Sequence, residues 1–581
     1  MSEDFIERPR KNEKDGAIQY VKQLLEQALE EHRNEDVHKL EELIRLLQTK
    51  KYGLVWEEHA EIVEEEMKTK TPVFVEDTEK KIVGNPDSKN YNFLLEGDNL
   101  HSLHLLEKTH GGRIDVIYID PPYNTGNNDF KYNDKFLDKD DNYLHSKWLS
   151  FMSTRLKQSY TLLKNDGIIM VSIDENEYSQ LKLLMDEVFG DKNHLSTHHI
   201  QVRFSNKSLN EDNDWQPVME YVLIYAKNKN CFKANKPSEP YDLSKFCYEI
   251  IERTPGETLT IANKKVTIFK DGEWEINKVE NPGIGFLKET WASGSIVRQS
   301  GTAAEFLSKY LIERKSMDGL NVLYKIDNMG EDGLGYRYVT GPKKIDAIRG
   351  KFYSGVPLSR QEEIKKGISL KTRPIPNFYD YSADFGNIRH EGKVAFNSGK
   401  KPIKMLKQLI NYHVSKSAVV LDFFAGSGST GHAVSQLNKE DGGNRKYILC
   451  TNNENNICEE VTYKRLTNIQ TELPHNIKYF KTDFVDKNEF PDFQLEDELL
   501  NYITPLVELE FGIDISNPSV QIILTEEHLA ELIKEGKLEK NSTLFMHSEV
   551  FLDSKEEAVL SKLNISRQVI PDYYFGKELW S

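Results

Sequence analysis

Apolar positions along the chain change period several times, and each change predicts a different kind of element. Between residues 16 and 48, Ile18, Val21, Leu24, Leu25 and Ala28, then Leu40, Leu43, Ile44 and Leu47, recur at helical spacing. The polar run "HRNED" divides them into two acidic amphipathic helices, packed as a hairpin and suited to a partner or dimer surface. The following "EDTEKKIVGNPDSKN" reads as linker or short strands. From residue 93 apolar runs and helical periods alternate. "NFLLEGDNLHSLHLLEK" is strand, turn and helix, and "RIDVIYID" is a strand. "HSKWLSFMSTRLKQSYTLLK" is a helix, "NDGIIMVSIDENE" a turn and strand, and "YSQLKLLMDEVFG" a helix. That alternation predicts an α/β domain with a parallel, doubly wound sheet.

Residues 195 to 395 lose the rhythm and are rich in aromatics, Lys, Gly and Asn, which reads as an inserted α+β module. The α/β pattern returns with "KPIKMLKQLINYHV", "AVVLDFFAGSGSTGHAVSQLN" and "KYILCTN". The last hundred residues read as an acidic α/β appendage. The expected division is therefore a helical segment at 1–70, two halves of one α/β domain at 90–194 and 396–480, the insert at 195–395 and the appendage at 481–581.

Composition adds limits. A chain of 581 residues exceeds what one core usually organises. No apolar run approaches the roughly 18 residues a membrane span needs, and the first residues have no apolar core of a signal peptide. The four cysteines form no C-x-x-C pair and no metal-ligand pattern is visible, so a reduced cytoplasmic chain without membrane or structural metal is expected. Net charge is −17, yet residues 341 to 410 hold 15 basic and 6 acidic residues, which predicts local phosphate binding on an otherwise acidic protein.

Two short stretches carry chemistry. "LDFFAGSGSTG" follows a strand and opens a helix, with Gly426, Gly428 and Gly431 spaced as G-x-G-x-x-G. Such a turn lets backbone N–H groups approach a charged ligand. It could serve NAD, S-adenosylmethionine or tight packing; Asp422 in the strand end and Phe424 beyond it favour S-adenosylmethionine. The second stretch, "VIYIDPPYNTG", is a buried strand that ends on Asp120, Pro121, Pro122 and Tyr123. An exocyclic amine on a nucleobase is a poor nucleophile because its lone pair is delocalised. The Asp120 carboxylate and the Pro121 carbonyl, stiffened by the second proline, offer two acceptors that would draw the nitrogen towards a tetrahedral state. Tyr123 offers a ring on which a flipped base can stack.

"DPPYNTG" ahead of "LDFFAGSGSTGHAV" resembles the β-class amino-methyltransferases of DNA, and the long insert with both appendages resembles the Mod subunits of type III restriction–modification systems. The resemblance takes in "EGDNLHSLHLL", "GPKKIDAIRGKFYSGVP", "FNSGKKPIKMLKQLI" and "NRKYILCTNNENNICEEVTYKRL". It implies a permuted, Rossmann-like, seven-stranded methyltransferase sheet with an inserted target-recognition domain. It implies S-adenosylmethionine as cofactor and methylation of adenine N6 in double-stranded DNA. It also implies a homodimer, and a Res partner carrying helicase and nuclease in a cytoplasmic, nucleoid-bound assembly. Asp120, Pro121, Pro122 and Tyr123 would be catalytic. Asp422, Phe424, Ala425, Gly426, Ser427 and Gly428 would bind the cofactor, with Asp98 near its adenine and Glu454 reaching back to its ribose. Lys401 reads as a solvated lysine, with the cofactor's carboxylate as the alternative partner. A stand-alone methyltransferase, and a non-catalytic recognition subunit with a vestigial fold, remain open readings.

Overall fold

The computed structural model describes residues 14–30, 34–47, 56, 59–125, 144–207, 214–291, 303–348, 350–367, 369–394, 400–487 and 496–570. Parts of the expected N-terminal segment, residues 395–399 ahead of Lys401, and residues 571–581 lie outside the described residues. The chain forms two compact units. One comprises residues up to Asn235 and from Pro376 onward; the other is Lys236–Ile375.

The first unit is built on a sheet that has eleven strands among the described residues. Six run parallel side by side: Asn476–Asp486, Asn92–Glu96, Lys446–Thr451, Val419–Asp422, Ile114–Ile119 and Leu163–Ile173. Met219–Ala226 then pairs antiparallel to Leu163–Ile173, and His194–Gln201 antiparallel to Met219–Ala226. The seven strands that the resemblance implies are extended by Lys70–Glu76, Ile82–Val83 and Asn476–Asp486 at one side and by Phe378–Asp380 at the other. The parallel strands are buried on both faces, as a sheet covered by crossover helices requires. Ile114, Val116, Ile117 and Ile119 are all inaccessible. Each such side chain removed from water contributes about 1.5–3 kcal/mol.

The insert is narrower than 195–395. Residues 194–201 and 219–226 form a hairpin that belongs to the main sheet, and Phe378–Asp380 returns to pair with its first strand. An antiparallel hairpin interrupts the strand–helix alternation without leaving the domain, so the change of rhythm marked the hairpin and not the boundary. The second unit, Lys236–Ile375, holds an eight-stranded sheet whose strand pairs are antiparallel throughout. In the first unit, helices Lys14–Glu30 and Asn34–Leu47 pack on each other. Beyond helix Glu496–Phe511, strands Val520–Ile523, Thr543–His547 and Ser566–Ile570 form a small parallel sheet.

The order of the central strands positions the site. Val419–Asp422 lies between Lys446–Thr451, which follows it in the chain, and Ile114–Ile119, some three hundred residues earlier. Connections leave this point in opposite directions, and the crevice outside the carboxyl ends at such a point is where open α/β sheets bind ligands. Val420 faces Val116 and Leu421 faces Ile117. Buried Asp115 reinforces this pairing: its Oδ2 accepts from the Val419 N–H at 2.8 Å while Oδ1 takes Lys164 at 2.6 Å. Asp115→Ala orphans a buried N–H, so it should lower unfolding free energy by about 1–3 kcal/mol in urea titration, with Asp115→Asn losing less.

Candidate active site

The strand Ile114–Ile119 delivers Asp120 at its carboxyl tip. Two prolines stiffen the turn that follows. Trp148 Nε1 donates to the Pro122 carbonyl at 2.8 Å, which occupies that oxygen. Asn124 takes a left-handed conformation with φ 59°, and its Nδ2 donates to Glu177 Oε1 at 2.5 Å. His145 Nδ1 lies 2.8 Å from the same oxygen. Buried Glu177 thus ties Asn124 to His145.

Asp120 Oδ1 accepts from the Tyr123 hydroxyl at 2.8 Å. The side chain that completes the cluster is Lys401, whose residue is only 7% exposed. Its ammonium stands 3.1 Å from Asp120 Oδ1, 3.0 Å from Glu220 Oε2 and 2.7 Å from the Tyr123 hydroxyl, and 4.8 Å from the centre of the Tyr123 ring. An ammonium has three hydrogens, and here all three have acceptors. The reading of Lys401 as solvated is therefore corrected. Its segment enters the core just before helix Ile403–Ile410, and two carboxylates compensate the buried charge. Here its hydrogen bonds go to the Tyr123 hydroxyl and Glu220 and its third contact is the Asp120 carboxylate.

Glu220 was not among the sequence candidates. It sits at the mouth of strand Met219–Ala226, opposite Ile200, and its Oε2 lies 3.1 Å from the Tyr123 hydroxyl, whose single hydrogen it shares with the nearer Asp120 Oδ1. The signal available was one acid at the entry to the apolar run "MEYVLIYA". Burial pushes the Asp120 carboxyl up; Lys401 draws it down, Glu220 adds to the rise, and the net position is above the usual carboxylate range. Burial works against the Lys401 charge, but Asp120 and Glu220 outweigh it and raise the ammonium above its ordinary value.

On the neighbouring strand, Asp422 braces the glycine turn. Its Oδ1 accepts from the Phe424 N–H at 3.0 Å and its Oδ2 from the Thr430 hydroxyl. Ala425 N–H donates to the Cys450 carbonyl at 3.1 Å, which docks the turn on strand Lys446–Thr451. Gly426 and Gly428 take φ of 46° and 73°, values that L side chains rarely adopt. A Cβ at Gly428 would also lie 3.1 Å from Thr462 Cγ2. Ser427 Oγ lies 3.0 Å from Ser429 Oγ at the start of helix Ser429–Asp441, whose first N–H groups face outward from the turn. The Phe424 ring packs 5.8 Å from Phe151. Burial, opposed by the Thr430 and Phe424 bonds and reinforced by the charge of Asp120, raises the Asp422 carboxyl to about 7.

The two flanking candidates are placed differently. Asp98 caps helix Asn99–His110, its Oδ1 accepting from Leu100 N–H at 2.8 Å, and meets Arg155 at 3.4 Å. The next residue, Asn99, donates to the Phe423 carbonyl at 2.9 Å, so this helix start abuts the glycine turn. Glu454 is exposed in the short turn Glu454–Asn456, past the tip of its strand. Asn452, nearer that tip, keeps a buried side-chain oxygen without a partner.

The DNA methylase family model matches residues 114–462, which include both strand tips. The chain belongs to the DNA methylase family. It is 32% identical over 433 residues to the Mod subunit of the type III restriction–modification enzyme StyLTI of Salmonella typhimurium, covering 69% of this chain and 59% of that protein. It is 29% identical over 401 residues to the EcoPI Mod subunit of Escherichia phage P1, covering 62% and 58%. It is 30% identical over 407 residues to the type II methyltransferase M.KpnI of Klebsiella pneumoniae, covering 68% and 88%. The matched stretch spans about three fifths of the length of the two Mod subunits.

The Asp422 carboxyl, at about 7, lies above the 3.8 of a free aspartate, so the fold favours its neutral form. Stability from this group is present at low pH and is lost as pH rises from about 4 through about 7. Asp422→Asn cannot ionise and should flatten that part of the pH dependence, read from urea unfolding between about pH 4 and about pH 8.

Proposed function

We propose that the chain transfers a methyl group from S-adenosylmethionine to N6 of an adenine flipped out of double-stranded DNA, as the modification subunit of a type III restriction–modification system. The observation that carries this reading is the adjacency of the Asp120 tip and the Asp422-braced glycine turn on paired parallel strands. The similarity to StyLTI and EcoPI Mod subunits supports the type III assignment.

The turn residues fit the cofactor. Asp422, Phe424, Ala425, Gly426, Ser427 and Gly428 would hold it, with the open helix start for its carboxylate and the unpartnered oxygen of Asn452 for a hydroxyl hydrogen. When bound, it supplies a methyl group activated by an adjacent sulfonium. The chain's own residues do the rest. Among the described residues both bonds to the Asp120 carboxylate use Oδ1, which leaves Oδ2 to accept from the amine. With the Pro122 carbonyl occupied, the Pro121 carbonyl is the second acceptor. Two acceptors localise the nitrogen lone pair and hold it in line for direct transfer, with no covalent enzyme intermediate. Asp120 need not be a strong base, because the proton leaves readily once the nitrogen is cationic. Stacking of the extruded base on Tyr123 contributes on the order of 1–3 kcal/mol. An aspartate ahead of P-P-Y, where a serine would suit cytosine N4, supports adenine.

Lys and Arg of 341–367 would grip phosphates, and other side chains of the Lys236–Ile375 unit, which contains that stretch, would read base edges. A second copy of the chain and a Res subunit would complete the assembly. Among the described residues no helix is long and apolar enough to cross a membrane.

Asp120→Ala should abolish tritiated-methyl transfer to duplex DNA, by more than about a hundredfold, while leaving cofactor and DNA affinity within about threefold. Full activity in that variant refutes the role of Asp120. DNA affinity should fall steeply as salt rises, and a titration showing no salt dependence contradicts the phosphate-binding role of the basic segment.

A further inference from the structure

Asp120 faces a dense set of titratable groups. Lys401 approaches from the segment ahead of helix Ile403–Ile410, and Glu220 from the mouth of strand Met219–Ala226. Tyr118 and Tyr123 flank it on its own strand and loop, and Asp422 lies on the neighbouring strand. Among these, Lys401 is the one cation. Its ammonium and the Tyr123 hydroxyl both meet Oδ1 of Asp120, and both also meet Oε2 of Glu220. The four groups close a ring that draws every contact to one side of the catalytic carboxylate.

Resting on the methyltransfer reading above, we infer that Lys401 and Glu220 are a positioning pair: Lys401 keeps the largely buried Asp120 ionised, and Glu220 tethers the ammonium so that Oδ2 stays open to the substrate amine. The need follows from hydrogen-bond chemistry. With Oδ1 already facing two donors, a proton taken up by the carboxyl would sit on Oδ2 and turn the one open oxygen from acceptor into donor. Burial and the Glu220 carboxylate favour that protonated form, and a cation in contact with Oδ1 opposes it. The same cation, if free to move, could cover Oδ2 and exclude the base. Glu220 removes that freedom by holding a second of its three hydrogens. The pair takes up no proton or methyl group in the reaction.

The test is the pH dependence of single-turnover methylation of duplex DNA with S-adenosylmethionine present in excess. Lys401→Met should move the acidic limb of the rate upward by about one pH unit or more, a loss of about tenfold below the limb that recovers as pH rises. Lys401→Arg should return the midpoint close to wild type. Glu220→Gln removes one of the charges that raise the Asp120 carboxyl, so it should move the limb in the opposite direction. An equal loss at every pH with an unmoved limb in Lys401→Met, or shifts of both variants in the same direction, overturns the inference. A second readout needs neither activity nor the Lys401→Met protein: carboxyl titration of Asp120 by carbon-13 NMR, assigned with Asp120→Asn, in wild type and Glu220→Gln. A lower midpoint in Glu220→Gln supports the pair and an unchanged one defeats it. A wild-type protein that methylates no DNA at any pH defeats the methyltransfer reading instead, and the carboxyl titration still decides the pair.

Discussion

The parallel pairing of Val419–Asp422 with Ile114–Ile119 is the constraint on which the site depends. Each strand is short, and each ends in a turn that could serve many purposes alone. Paired in register, they set an acid-tipped proline loop and a glycine turn side by side at the carboxyl ends of the central strands. The pairing closes a loop of some three hundred residues, whose entropy cost grows only slowly with length, so an independent unit can be accommodated within it. Lys236–Ile375 is such a unit, with its own antiparallel sheet and core clusters around Val266, Tyr324 and Phe269.

Electrostatics at these strand tips follow from partial burial. Asp120 and Glu220 are largely buried acids that a single ammonium balances in part, while burial pushes the neighbouring Asp422 towards its neutral form. Removing one member of such a set leaves an uncompensated buried charge. The glycine turn is held by polar contacts of a different kind. Asp422 gives both oxygens to bonds within the turn and its helix, so it shapes the binding surface more than it lines it. Asp98 does comparable work at the adjacent helix start, where capping and contact with Arg155 fix the Asn99 bond to the turn.

Much of this was readable in one dimension because the relevant forces act over a few residues. The apolar run before Asp120, the glycines that reach positive φ, and the helical period after Ser429 each record a local requirement. The edges of the insert were not readable. The hairpin of residues 194–201 and 219–226 has the apolar alternation of any antiparallel strand pair, and only its partner, Leu163–Ile173, shows that it belongs to the first sheet. Lys401 was misread for a related reason. A lysine beside a proline in a charged stretch looks solvated until two distant carboxylates are brought against it.

The sequence by itself determined the two strand tips, the donors and acceptors each offers and the class of fold that presents them, because backbone geometry and donor–acceptor inventory are properties of short segments. Only the tertiary structure decided that the tips are neighbours, that Glu220 and Lys401 meet at Asp120, and that Asn452 carries an unpartnered buried oxygen. Those facts depend on strand order and on desolvation, and both arise from contacts between residues hundreds of positions apart.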